Sequence, residues 1–323
     1  MKTLFIGIDT SNYTTSLCAV DDEGTIIHEE RRILTVQLGE RGLQQSQALY
    51  QHIVALPAMV KALSVHLRSH VVKGIAVSAK PREITDSFMP VFQAGLLVGQ
   101  TLQAGTGANL FLTNHQAGHV AAGIYTSGDP FLFDEKLLVL HLSGGTTDVF
   151  LAQKNCVHFG IQPLSGDQGL HIGQFVDRIG VRLGLPFPAG RHLERMAIEA
   201  SLSDQVPTIP SSVKDGVPSF SGPLSAALRL ADQGVEGSLI AYAVFRCLAN
   251  TLEKMIRYAY ETHRVKRFLL VGGVASSQLL RERLLERFQG AKIKLSFCDP
   301  RYASDNAFGV ALIAKNHWQW PME

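Results

Sequence analysis

Apolar and polar residues fall in blocks along this chain, and one set of blocks occurs twice. Leu4 to Ile8 is a β-rich run that stops at a polar turn, Asp9-Thr10-Ser11-Asn12-Tyr13-Thr14-Thr15. Ser16 to Val20 predicts a second strand, Asp21-Asp22-Glu23-Gly24 a tight turn, and Thr25 to His28 the start of a third strand. Leu137 to Ile161 reads the same way. The runs Leu137 to Leu142 and Val149 to Ala152 flank the turn Ser143-Gly144-Gly145-Thr146-Thr147, and a turn at Gln153-Lys154-Asn155 leads to another strand. Ser11 aligns with Ser143, and Thr14-Thr15 with Thr146-Thr147, at one constant offset. Two copies of a strand–turn–strand–strand unit, each followed by helices, predict a duplicated α/β architecture with a cleft between its halves.

Elsewhere the spacing alternates between helix and strand. Helical stretches are predicted over Gly42 to His66, Phe92 to Leu102, Ile172 to Leu183, Arg191 to Ala200, Leu239 to Thr262 and Gln278 to Phe288, with a last helix beginning at Ser304-Asp305-Asn306-Ala307. Strands are predicted at Val72 to Val77, Leu110 to Leu112, Phe268 to Val271 and Leu295 to Cys298. Leu202 to Val217, rich in Ser, Pro and Asp, reads as a surface loop.

At 323 residues the length suits about two domains. A 46% hydrophobic share with 18% charged residues is that of a globular chain. The net charge of +2 gives no general basic field for nucleic acid or anionic lipid, although a local basic surface stays open. Cys18, Cys156, Cys247 and Cys298 are scattered without CxxC spacing, as expected of reduced, buried thiols. Met1 runs straight into the first strand, which leaves no room for a signal peptide, and no apolar run reaches about 18 residues. The expectation is a cytoplasmic protein that does not enter a membrane.

Several places carry candidate chemistry, each with a plainer reading beside it. The hydroxyls and exposed N–H groups of Ser143, Gly144, Gly145, Thr146 and Thr147 suit an anion such as phosphate; the same residues also make an ordinary hairpin turn. Two such turns facing each other would grip a polyphosphate from both sides. After a capping Asn114, His115 and His119 share one helical face one turn apart, as a divalent metal requires, or hydrogen-bond independently. Asp177 and Glu194 could accept from a ribose, but the sequence alone favours solvated helix charges. Gly272-Gly273 lets a flat ring lie on bare backbone beside a helix capped by Ser276 or Ser277, or serves close packing. Asp305 is either a charge favoured at a helix N-terminus or the carboxylate the two histidines lack.

The ordered set Ile8-Asp9-Thr10-Ser11, His115-x-x-Gly118-His119, Ser143-Gly144-Gly145-Thr146, Asp177 with Gly190 and Glu194, Ser219-Phe220-Ser221-Gly222, Gly272-Gly273-Val274 and Ser304-Asp305-Asn306-Ala307 resembles the TsaD family, once called the O-sialoglycoprotease family. The family makes threonylcarbamoyladenosine in tRNA. The resemblance spans nearly the whole chain and implies the α/β, duplicated actin-like fold of sugar kinases and heat-shock ATPases. One lobe would comprise residues 1–112 with 306–323, and the other, carrying the metal and nucleotide site, residues 113–305. It implies one iron or zinc ion on His115, His119 and Asp305, and ATP, AMP or threonylcarbamoyl-adenylate in the cleft. Ser11 and Ser143 to Thr147 would line the phosphate or threonylcarbamoyl end, Asp177, Gly190 and Glu194 the ribose and base, and Gly272, Gly273 and Ser277 the adenosine. Thr14 and Ser143 are the candidate catalytic hydroxyls. Partners implied are tRNA and a homodimer or a heteromer with a related threonylcarbamoylation protein.

The chain departs from that pattern. Where the family carries Cys-Asp-Glu-Thr it has Asn12-Tyr13-Thr14-Thr15, and His-x-Glu-Gly-His is His115-Gln116-Ala117-Gly118-His119. Gly-Glu-Ala-Phe-Asp-Lys is Gly173-Gln174-Phe175-Val176-Asp177-Arg178, the asparagine of Gly-Gly-Val-x-x-Asn is Ser277, and a Gly-Pro-Gly loop is Lys80-Pro81-Arg82. Such changes spare metal and nucleotide binding more than the transfer step. The alternatives are therefore a divergent paralogue that binds or hydrolyses ATP or an acyl-adenylate without modifying tRNA, and a nucleotide-dependent regulatory module. No His-Glu-x-x-His occurs, so protease activity is not expected.

Overall fold

The structure, a computed structural model, describes residues 2–11, 13–37, 42–83, 87–133, 135–154, 159–166, 169–200 and 206–319. Asn12, Asn155, Cys156 and residues 202–205 of the expected loop lie outside the described residues. The first repeat supplies β1 (Lys2–Ser11), β2 (Thr14–Val20) and β3 (Ile26–Ile33), joined after α1 (Gln45–Leu67) by β4 (His70–Lys80) and, after α2 (Phe92–Thr106), by β5 (Asn109–Asn114). The sheet order is β3-β2-β1-β4-β5, antiparallel across β1 to β3 and parallel across β1, β4 and β5.

After α3 (His115–Thr126) the second repeat supplies β6 (Leu137–Leu142), β7 (Thr147–Lys154) and β8 (Phe159–Gly166). There follow α4 (Ile172–Arg182), α5 (Gly190–Glu199), a hairpin of β9 (Ser212–Lys214) and β10 (Val217–Ser219), α6 (Ser221–Asp232) and α7 (Gly237–His263). β11 (Arg267–Val271), α8 (Gln278–Phe288), β12 (Lys294–Phe297), α9 (Pro300–Ala303) and α10 (Phe308–Gln319) complete the described chain. The second sheet runs β12-β11-β6-β7-β8, the first sheet's topology read from the other edge. The register repeats too. Asp9 faces Ser16 and Thr10 faces Thr15 in one copy, as His141 faces Asp148 and Leu142 faces Thr147 in the other.

Alternation along the two central strands sorts the core into layers. Leu4, Ile6 and Ile8 face outward onto α1, with Met59 and Leu63, while Phe5 faces the layer of α3 and α10. Leu138, Leu140 and Leu142 join the cluster built with α4 to α8, while Leu137 and Val139 face α3 and α10 from the other side. Alternation therefore turns Asp9 and His141, at the ends of their strands, toward the shared middle layer.

Two expectations change. The Leu202 to Val217 stretch contains the β9–β10 hairpin, because Asp215 and Gly216, with φ of 51° and 77°, close a two-residue turn. The last helix starts at Phe308 rather than Ser304. The Asn306 side-chain Oδ1 accepts the Phe308 N–H at 3.0 Å, leaving Asp305 in the turn ahead of it. Among the described residues one helix, α1, is long and apolar enough by length and composition to cross a membrane, although interspersed glutamines break up its apolar run. It packs Ala48, His52, Leu56, Met59 and Leu63 onto the first sheet, and buried His52 Nδ1 lies 2.8 Å from Thr15 Oγ1.

Candidate functional site

Two helices assemble the centre of the cleft. Asn114 caps α3 by accepting the Ala117 N–H at 2.9 Å, and the next turns carry His115 and His119 with their Nε2 atoms 3.1 Å apart. α10 crosses α3 at glycine: a Cβ on Gly309 would overlap the Gly118 carbonyl. This close approach brings Asp305 Oδ1 to 3.4 Å from His115 Nε2 and 3.5 Å from His119 Nε2. The three residues expected to act together stand together.

Two more join them that sequence reasoning passed over. His141 has both ring nitrogens buried without a hydrogen-bond partner, and its ring centroid is 4.7 Å from that of His119. The nearest ligand atoms of His115, His119 and His141 all lie within 4.8 Å of one another. Asp9, fully buried, places Oδ2 at 3.0 Å from His115 Nδ1, which fixes the ring with Nε2 toward the cluster. The repeat holds the missed signal, because Asp9 and His141 each stand two residues before the aligned serines.

The electrostatics ask for a cation. Burial alone would lower the His115 imidazolium, but the charges of Asp9 and Asp305 outweigh it and push it up to about 10. His119 is held low by burial and by the His115 charge, and His141 well below the usual imidazole range by burial and both neighbours. Burial would raise the Asp305 carboxyl, yet hydrogen bonds to the two histidines hold it well below the carboxylate range. Ligand atoms bound at about 2.1 Å stand roughly 3.0–3.4 Å apart around an ion. That is close to the spacing of His115 Nε2, His119 Nε2 and Asp305 Oδ1. Imidazole and carboxylate donors suit zinc or iron, and the unpartnered nitrogens of His141 add a buried donor, so these residues fit a divalent ion.

Beside the cluster, the Ser143 carbonyl accepts the Gly173 N–H at 3.1 Å, and Thr147 Oγ1 accepts the Ile172 N–H at 2.8 Å. These bonds pin the turn to the start of α4. Gly144 and Gly145 have open space where a Cβ would stand. Gly272, at φ 94°, packs so closely on β6 that a Cβ there would overlap the Leu142 carbonyl. Gly273 is open.

Asp177 accepts the Ala189 N–H at 2.8 Å beside Gly190, and burial pushes its carboxyl up to about 6. Glu194 is committed elsewhere on one oxygen: Oε1 accepts from Ser277 Oγ at 2.8 Å and Leu279 N at 2.9 Å. Ser277 in turn caps α8 through the Leu280 N–H. Ser11 and Thr14 are buried at the end of the β1–β2 pair, and Ser11 Oγ has no hydrogen-bond partner.

Tyr13, from the first repeat's turn, reaches the second lobe and meets Phe187 edge-on at 5.4 Å between centroids. A cavity of about 70 Å³ lies beneath, lined by Tyr13, Gly144, Gln174, Asp177, Arg178, Val181 and Phe187. That is room for a couple of waters at roughly 30 Å³ each. A larger hollow of about 830 Å³ near the start of α1 is lined, among the described residues, by Gln44, Gln47, Tyr50, Gln51 and others, with no histidine, cysteine or carboxylate among them. The smaller one meets the Ser143 to Thr147 turn at Gly144 and carries Asp177.

Fold and site together define a two-lobed actin-like protein with a histidine–carboxylate cluster at the cleft. A ROK family glucokinase from Streptomyces griseus, solved with glucose and AMPPNP, superposes with a TM-score of 0.55 at 16% identity, covering 97% of this chain and 99% of its own; at that identity the likeness speaks for the fold alone. The model of the TsaD family, tRNA N6-adenosine threonylcarbamoyltransferase, matches residues 33–312, and the chain belongs to that family. A relative of that name from Thermus thermophilus is 30% identical over 319 residues, 96% of this chain and 91% of the relative. A probable bifunctional tRNA threonylcarbamoyladenosine biosynthesis protein from Thermoplasma acidophilum is 25% identical over 96% of this chain, which spans only 55% of that longer relative.

Proposed function

We propose that this protein is a metal-dependent, adenine-nucleotide-binding transferase of the threonylcarbamoyl type, acting in the cytoplasm on ATP or threonylcarbamoyl-adenylate with a tRNA adenosine as acceptor. The observation that carries this reading is the spacing of His115, His119 and Asp305 beside the Ser143 to Thr147 turn. A bound iron or zinc ion would polarise a carbonyl or phosphoryl oxygen. His141 would complete its donor set, and Asp9 would hold His115 in register. N–H groups and hydroxyls from Ser143 to Thr147 would receive the anionic end of the ligand. Asp177, beside Gly190, would accept from the ribose, Glu194 would contribute through the oxygen not committed to α8, and bare backbone at Gly272 and Gly273 would take the base. Tyr13 must leave Phe187 for a nucleotide to enter.

That aromatic contact, standing where the family carries an acid, also favours a second reading: a paralogue that binds or hydrolyses the nucleotide without modifying tRNA. Purified protein is expected to retain close to one iron or zinc per chain and to lose it in the His115→Ala, His119→Ala double variant, as read by elemental analysis. Incubation with a threonylcarbamoyl-adenylate source and unmodified tRNA is expected to yield threonylcarbamoyladenosine. Metal retention without that product selects the paralogue, and the absence of both metal and product sinks both readings.

A further inference from the structure

We infer that Arg82 is a substrate-positioning residue of this site, its guanidinium reaching across the cleft to receive the phosphate end of the nucleotide on the Ser143 to Thr147 turn. The inference rests on the nucleotide-binding reading above and names a group that reading leaves out.

Arg82 belongs to the segment after β4, in the first lobe. The Pro81 carbonyl accepts the Gln116 N–H at 3.2 Å, which ties this segment to the first turn of α3. From there the side chain spans to the second lobe, where Nη1 lies 3.2 Å from Asp148 Oδ2. Gln116 Nε2 donates to that same oxygen at 3.1 Å, so Asp148 is held from two sides. Asp148 sits opposite His141 on the neighbouring strand, and such directly opposed residues share a sheet face. The guanidinium therefore lies on the strand pair that carries His141 into the histidine cluster.

Its remaining contacts are weak. Nη2 reaches the Gly145 carbonyl at 3.4 Å and Thr146 Oγ1 at 3.5 Å, both at the limit of hydrogen-bond range. An arginine serving only to join the lobes would gain most from a bidentate carboxylate. This one spends a single nitrogen on Asp148 and leaves the rest of its fork over an open glycine turn. A phosphate offers shorter, charge-assisted bonds at the same place. The charge pattern agrees. Where the resemblance implies two acids this chain has Tyr13 and Thr14, and where it implies glycine this chain has Arg82. All three departures make the cleft more attractive to a highly charged anion.

Calorimetric titration of the full chain with ATP, AMP and adenosine separates the possibilities. Arg82→Ala is expected to weaken ATP binding by about 10- to 100-fold, the range for a hydrogen bond to a charged group, while adenosine affinity stays within about twofold. Arg82→Lys, which keeps the charge and loses the fork, should recover part of the loss. If the alanine variant does not fold, Arg82→Gln carries the same comparison. Equal weakening of ATP and adenosine would mean that Arg82 only joins the lobes, and unchanged affinity for all three would mean that it has no part in binding. Either result overturns this inference alone. A wild-type protein that binds none of the three overturns the nucleotide reading and this inference with it.

Discussion

Burial pushes the Asp177 carboxyl up to about 6, and the Ala189 N–H it accepts offsets only part of that shift. An ordinary aspartate titrates near 3.8, so the folded chain favours the protonated form. The resulting contribution to stability is complete below about pH 3.8 and is lost as pH rises through 6. Asp177→Asn keeps an acceptor for Ala189 without the charge. It should raise unfolding stability by about 1–3 kcal/mol at pH 8 and change it little at pH 3.5, as read by urea denaturation at the two values. If Asp177 binds ribose, the same variant loses nucleotide affinity as it gains stability. His115 and His119 are legible in the sequence because helix geometry makes a four-residue spacing a contact. Asp305 is legible only as one of two alternatives, a helix N-terminal charge or the missing carboxylate, until the family pattern favours the second. His141 looks like one polar residue in an apolar strand until strand pairing turns it inward, and Asp9 hides in what reads as a turn.

At the scale of elements, the site depends on how closely α3 and α10 cross. A Cβ at Gly309 would collide with the backbone of Gly118 and Ala122, so the two helices would have to separate. Gly309→Ala is expected to destabilise the fold by about 1–3 kcal/mol, the usual cost of overpacking. It should also draw Asp305 away from His115 and His119 and lower the metal content per chain. Gly273→Ala is the control: its Cβ meets nothing within 4 Å, so urea midpoint and metal content should hold. Denaturation and elemental analysis of the two variants decide the matter, and equal behaviour would remove Gly309 from the account. The sequence shows both glycines but not which one another helix touches. It does show most strands and helices, because long periodic runs mark them. It hides the β9–β10 hairpin, whose three-residue strands are too short to establish a period before Asp215 and Gly216 turn the chain.

Across the whole molecule the layers bury both central strands, yet the outer surface of α1 stays apolar. Tyr50, Ile53, Val54 and Val65 are more than half exposed there, and so is Leu97 on α2, which α1 contacts. The inner face of α1 is already committed to the first sheet through Leu56, Met59, Leu63 and the His52 to Thr15 contact. A membrane span would have to break that packing, whereas a second protein surface covers the outer face and leaves the lobe intact. Self-association through this face is the outcome to test, with a related threonylcarbamoylation protein as the alternative occupant. Exposed apolar residues gathered on one helix are a kind of surface that such interfaces use. Sedimentation velocity should show a dimer at tens of micromolar. Ile53→Asp should shift it to monomer with little change in the urea midpoint, because that side chain is more than half exposed. A wild-type chain that stays monomeric at that concentration rules out self-association, and binding of the related protein that Ile53→Asp leaves unchanged would free α1 of any part in assembly.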